Sequence, residues 1–552
     1  MACQGIVFCT VVLPEQHFVH LQQGCCAAAD MDDSVIVPTA KRWKAVVAQV
    51  GAGLVANFAC LAPAMSLGFS AVALPVMKQG IGNPLITEEQ ESWIASLAAI
   101  ATPFGCLASG PLLDRFGRKV TLLLINVPGL LGWLLVATAP DGPSFLAQLY
   151  AGRIFTGISS GMASIPATVY AAEIGDSSLR GMLVTWTSAA IATGVLIVYV
   201  LGYFLQEKWR VTAAICALFP VLAAVLAAPL PESPSWLASR GRYDDAEAAL
   251  RRLRWLPRDA PLPGRVQEQL DDFASAGSQS RARQAHASWL RRIRAAFLQR
   301  RTLRPLLIMN AFFFFQQFSG IFVVIFYAVD VVREANVTID DYLAAVLIGV
   351  TRLLATLSMS YVSKKFGRRP PAIVSGAGMT LCMGILATYL TLTTSENFGA
   401  YVAENFRWIP IVSLLLYILA STIGFLTLPW AMIGELFPAD VRGLASGLTT
   451  CMAYVFSFVA LKIYPDMLRA FTKQGVFFFY GAVSLLGTIY VILFLPETKN
   501  KTLAEIEEYF TKSKKTDTAT QKREPEDDTF TESDHLTRPQ NGAVQKPSYE
   551  VS

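Results

Sequence analysis

Twelve apolar runs of about twenty residues each restrict the fold of this chain more tightly than any other feature. A helix of that length crosses a bilayer core of about 30 Å. In hydrocarbon every backbone polar group must be bonded internally, so a spanning run of this kind is helical. The runs lie at about 46–70, 92–113, 120–139, 145–172, 181–205, 209–229, 303–331, 341–362, 371–393, 408–434, 443–463 and 474–495. Of 552 residues, 53% are hydrophobic and only 16% charged. Soluble domains carry about 25% charged residues, so the chain reads as an all-α polytopic membrane protein with the lipid bilayer as its solvent. The net charge of +5 is no sign of nucleic acid, because the basic residues flank the runs and so encode orientation.

The runs divide the chain. Residues 1–45 form an N-terminal segment, 46–229 a first six-helix bundle, 230–302 a linker with short amphipathic helices, 303–495 a second bundle and 496–552 a largely disordered tail. "DRFGRK" at 114–119, the arginine-rich linker and "KKFGRR" at 364–369 all fall on one side, and the positive-inside rule makes that side, with both termini, cytoplasmic. Asn336 begins the sequon "NVT" in a short loop on the opposite side, where it can be glycosylated; "NKT" at 500–502 falls inside and is expected to stay bare. The start lacks the basic and small-residue signature of a signal peptide. The nine cysteines show no CxxC or zinc spacing and read as small packing residues.

The two halves echo each other. "DRFGRK" at 114 recurs at 364, "EIGDSSLRG" at 173 as "ELFPADVRG" at 435, and "PESPSW" at 231 as "PETK" at 496, in the same order about 250–265 residues on. Such a repeat implies two parallel bundles around a mid-membrane site, the arrangement that suits alternating access. The repeated charges sit at cytoplasmic span ends. Asp114, Arg115, Arg118, Glu173, Arg180 and Glu232 are expected to form one network, and Arg368, Glu435, Arg442 and Glu497 the other. Ion pairs made in one conformation and broken in another act as a latch; static helix-end pairing is the plainer alternative. Arg153, within the fourth run in "AGRIFTGISSG", needs a polar partner and joins the candidate latch set, and Gly152, Gly157 and Gly161 beside it suit close helix packing.

Two polar features stand inside apolar runs. "FFFFQQFSGIFVVIFY" at 312–327 places Gln316 and Gln317 side by side, and a buried amide is costly without a partner. "GVTRLLATL" places Arg352 in the eighth run. Its guanidinium can bind a substrate carboxylate, phosphate or vicinal hydroxyls, pair with an acid such as Asp330 or Glu435, or snorkel to a span end.

Over residues 45–510 the chain resembles the sugar porters of the major facilitator superfamily, through "DRFGRK", "GRIFTG", "PATVYAAEI", "PESPSWL", "QQFSGI", "KKFGRR", "LPWAMIGELFPADVRG" and "PETK" taken in order. Within it, the branch resembled is that of insect facilitated trehalose or glucose transporters. The resemblance implies the major facilitator fold, a sugar as substrate, and sugar contacts from Gln316, Gln317 and Trp430. It also marks departures: Phe322, Ser188, Ala453, Tyr454 and Arg352 stand where many members carry amides or an aromatic, and Lys364 stands where an acid is usual. The site is thereby more apolar, with one added cation.

Proton-driven members carry an acid in the first span where this chain has Ser70 in "GFS". The expectation is therefore a uniporter in the cell membrane, carrying trehalose or a hexose, without cofactor or metal and without enzymatic chemistry. Two alternatives stay open: a carrier of a polyol or organic anion using Arg352, and a non-transporting sugar sensor.

Overall fold

The computed structural model describes residues 39–80, 85–257, 263–264, 266–271, 299–396, 399–438, 441–499, 501, 505 and 508–510. The 511–552 tail, most of the N-terminal segment, Asn500 and Cys3, Cys9, Cys25 and Cys26 lie outside them. No strand occurs among the described residues.

Pass one is α1 (Thr39–Phe58) with α2 (Leu61–Lys78), pass two is α3 (Glu88–Phe116), and pass three is α4 (Arg118–Leu124) with α5 (Asn126–Ala137). Pass four is α6 (Phe145–Ala163) with α7 (Pro166–Ile174), followed by α8 (Ser177–Leu205) and α9 (Trp209–Ala227). The linker holds α10 (Pro234–Ser239) and α11 (Tyr243–Leu253). Pass seven comprises α12 (Arg300–Phe318), α13 (Ile321–Phe326) and α14 (Ala328–Glu334). Then come α15 (Asp341–Phe366), α16 (Arg369–Thr393), the short α17 (Gly399–Asn405), α18 (Ile409–Ile423) with α19 (Leu428–Leu436), and α20 (Arg442–Phe494).

Among the described residues, 9 helices are long and apolar enough to cross a membrane. One of them, Gly443–Phe494, has 52 residues and bends at Thr472, so it makes two passes. Two further passes, pass four and pass seven, which breaks at Gly320, fall outside that set. The twelve expected crossings are thus accounted for. Phe104, Leu107, Leu218, Val374, Leu381 and Leu493 are exposed along these helices, an apolar outer surface that fits lipid.

Local chemistry explains the ends and breaks. Thr87 caps α3 in a reciprocal capping box with Gln90, and Glu88, Glu89 and Glu91 occupy the first turn, where the helix dipole favours anions. Pass seven breaks at Gly320, which adopts φ +92°; a Cβ there would sit 2.6 Å from the Tyr480 ring, so only glycine fits. Helices α3 and α6 meet backbone to backbone: a Cβ on Gly161 would lie 2.0 Å from the Thr102 carbonyl oxygen.

Candidate functional site

The repeated charges converge at the basic end of each half in matching geometry. Arg118 Nη2 lies 2.7 Å from Glu173 Oε1, and Arg368 Nη2 lies 2.7 Å from Glu435 Oε1. The Arg118 amide donates to Glu232 at 2.8 Å and the Arg368 amide to Glu497 at 3.0 Å. The residue before each arginine is a glycine at positive φ, Gly117 at +90° and Gly367 at +85°, and a Cβ on either would strike Glu232 or Glu497. Burial raises the Glu497 carboxyl, but backbone amides of Arg368, Arg369, Lys499 and Thr498 outweigh it and hold the group below the usual carboxylate range.

Several expected members stand apart. Asp114 and Arg115 are exposed. The Asp114 carbonyl accepts from Trp236 and Arg240, and Arg115 lies over Phe116. Arg180 is exposed with no ion pair among the described residues. The side chains of Arg442 and Lys364 lie outside the described residues. Arg153 is a correction: it lies far from both networks, wholly buried between α2, α3 and α6. Its guanidinium donates to the Ile94 and Ser66 carbonyls and to the Ser66 and Ser70 hydroxyls at 2.8–3.1 Å. Four neutral acceptors satisfy it, so it ties the first bundle together rather than serving the latch.

Sequence reading missed two groups. Ser233 and Thr498 each donate to the acid of their own network, Glu173 and Glu435; both directly follow the repeated glutamate, so the repeat carried the signal. The other is a cluster joining the halves at the end opposite the basic networks. Lys78 Nζ lies 3.0 Å from Glu91 and 3.6 Å from Asp330, with both acids nearly buried. Nearby, Lys462 donates to Ser92 at 2.6 Å and lies over Trp93, and the Tyr199 hydroxyl donates to the Ile325 carbonyl at 2.6 Å. The expected first span ended at 70, short of Lys78. Among the described residues, the ion pairs between the halves all lie at this end. At the basic end α8 and α15 part around a cleft of about 240 Å³, lined by Thr185, Trp186, Ala189 and Thr356. Ion pairs between the halves close one end of the seam; clefts open between α8 and α15 at the basic end and, lined by Gln206, Lys208 and Asp340, beside the closed end.

The central candidates separate on hydrogen bonding. Gln316 is fully buried, and its amide nitrogen donates to the Phe425 and Leu426 carbonyls at 2.6 and 3.0 Å. These carbonyls lie in the break between α18 and α19. The helical partner of Phe425 would be residue 429, and Pro429 has no N–H; Gln316 supplies the missing donor. The expectation that both glutamines face a solute is therefore corrected for Gln316 in this arrangement. Gln317 reaches only Gln316, at 3.4 Å, and its Oε1 has no partner. One turn before it, Phe313 packs against Trp430 at 4.8 Å, and Trp430 against Tyr454 at 5.6 Å. Phe322 is buried beside Phe326, and Ser188 is exposed on α8. Asp330 pairs with Lys78 and Glu435 with Arg368, so neither expected acid serves Arg352. That side chain is only 7% exposed, which excludes snorkelling, and its Nε and Nη1 have no partner.

The family described as "Sugar (and other) transporter" matches residues 54–510. The chain belongs to this family. It is 31% identical over 465 residues to the facilitated trehalose transporter Tret1 of Culex quinquefasciatus, covering 84% of this chain and 86% of that relative. It is likewise 31% identical to the Tret1 of Polypedilum vanderplanki, covering 84% and 88%. Among solved structures, the proton:xylose symporter XylE bound to 6-bromo-6-deoxy-D-glucose superposes with a TM-score of 0.66 at 23% identity, over 84% of this chain and 99% of that one. An inward open form of XylE from E. coli gives 0.67 at 22% identity. The architecture is the twelve-helix major facilitator fold, and the chain is a multi-pass membrane sugar carrier that moves its substrate rather than transforming it.

Proposed function

We propose that the protein is a uniporter for trehalose or a hexose in the cell membrane, with both termini cytoplasmic and Asn336 glycosylated outside. The observation that carries the reading is Gln317, with an uncommitted oxygen beside the Phe313–Trp430–Tyr454 rings. An amide offers both donor and acceptor to sugar hydroxyls, and aromatic faces pack on the apolar face of a sugar ring. The relatives named for trehalose transport support the choice of sugar. The Arg153 surroundings support uniport: serine hydroxyls and carbonyls hold this arginine where a titratable acid would be needed for proton coupling. The basic-end pairs act as latches that are made in this arrangement.

Uptake of radiolabelled trehalose and glucose into oocytes tests the reading. Saturable uptake, unchanged by a protonophore and reduced in Gln317→Ala, is the expected result. Flux that collapses with the proton gradient overturns uniport, and absence of flux for both sugars overturns the substrate assignment.

A further inference from the structure

Among the described residues, two arginines are buried within the spans, and the contrast between them is informative. Arg153 has four acceptors around it. Arg352 is also buried, at 7% exposure, but Nε and Nη1 are without partners. Among the described residues Arg352 makes no ion pair with a carboxylate. An uncompensated guanidinium in a low-dielectric interior is strongly unfavourable. A sequence that retains one implies that something else completes it.

The position says what. Arg352 and Thr356 lie one turn apart on the same face of α15, and Thr356 lines the cleft that opens at the basic end. One turn the other way, Gly349 packs against Leu196 and Tyr199, where a Cβ would come within 3.0–3.1 Å of those side chains. Arg352 therefore lies one turn beyond the described lining of the cleft, toward the point where α8 and α15 close on each other. The polar groups lining the cleft, Thr185, Trp186 and Thr356, are neutral. A single cation balances a single negative charge. A dianionic phosphate would call for a second cation, which the described lining of the cleft does not supply. A carboxylate docked along either edge of the guanidinium fork meets one of the two empty nitrogens and neutralises the charge.

We propose that Arg352 is an anion-reading group of the translocation path and that the carrier accepts sugar acids, with the carboxylate seated on this guanidinium. The proposal rests on the carrier reading above and adds a substrate class to it.

The test uses the full-length protein in oocytes or proteoliposomes, with labelled glucose, trehalose and glucuronate. In the wild type, glucuronate is taken up saturably, competes with glucose, and moves negative charge inward, recorded as an outward current that glucose lacks. The readout for variants is the ratio of kcat/KM for glucuronate to that for glucose. Arg352→Gln lowers this ratio by about tenfold or more, the worth of one charge-assisted bidentate contact. Arg352→Lys falls between, because it keeps the charge and loses the fork. A wild type that moves glucose yet neither carries nor is inhibited by glucuronate overturns the inference and leaves the carrier reading intact. A ratio unchanged in Arg352→Gln overturns it as well. A wild type that moves no sugar removes both. Should Arg352→Gln fail to reach the membrane, competition in the wild type decides alone.

Discussion

Gln316 and Gln317 are adjacent in sequence, yet the structure assigns them opposite behaviour under substitution. Replacing Gln316 with Leu keeps the volume and removes the donor to the Phe425 and Leu426 carbonyls, both on residues 6% exposed or less. Pro429 cannot replace it. An orphaned buried acceptor costs about 1–3 kcal/mol. One short and one longer bond are lost, so Gln316→Leu should destabilise by about 2–4 kcal/mol. Gln317 makes only a 3.4 Å contact, and its oxygen is already unpaired. Gln317→Leu should therefore change stability by less than about 1 kcal/mol. It should instead weaken sugar handling by about three- to tenfold, the worth of one neutral hydrogen bond. Thermal melting in detergent, read by size-exclusion fluorescence, measures the first effect, and kcat/KM for sugar uptake the second. The reasoning is refuted if Gln316→Leu melts like wild type while cutting sugar affinity as much as Gln317→Leu.

Lys78→Met leaves Glu91 and Asp330 facing each other without a cation. Because the lysine is partly exposed, the loss is about 1–3 kcal/mol against the closed end, and an Ile325→Cys reporter should label faster with an impermeant thiol reagent from outside; an unchanged rate refutes a gating role. Gly320→Ala forces a side chain into positive φ and against Tyr480, costing about 2–4 kcal/mol; melting and surface expression should both fall, and an unaltered melt counts against the assigned strain. The lowered carboxyl of Glu497 contributes stability that is present above the ordinary carboxylate pKa of about 4.3 and lost as pH falls through the lower folded value. Protection of the Arg368 and Arg369 amides by hydrogen exchange should hold from about pH 7 to pH 5 and be reduced at every pH in Glu497→Gln, which keeps one acceptor oxygen and loses the charge; loss of protection already at pH 6 in the wild type contradicts this.

Much of the architecture was legible because membrane folding is written in one-dimensional terms. Run length specifies a crossing, and a repeated motif specifies its counterpart. The pairs Arg118–Glu173 and Arg368–Glu435 were readable because each joins motifs that occur twice. Asp114, Arg115 and Arg180 were assigned to the same network from proximity in sequence, but helix geometry turns them outward. Lys78 was missed because the hydropathy signal fades before the helix does.

By itself, the sequence determined the helical class, the twelve crossings, the basic end and the duplicated charge motifs, since each follows from composition along the chain. Only the tertiary structure decided which buried polar groups are satisfied. Gln316 meets carbonyls 109 and 110 residues away, and Arg153 meets serines 83 and 87 residues away. Gln317 and Arg352 meet nothing that would complete them. A hydropathy pattern records how deep a side chain lies, but not its direction around the helix or the neighbour that packs there. Hydrogen-bond satisfaction depends on those two quantities, and it separates the groups that hold the fold from the groups left for a solute.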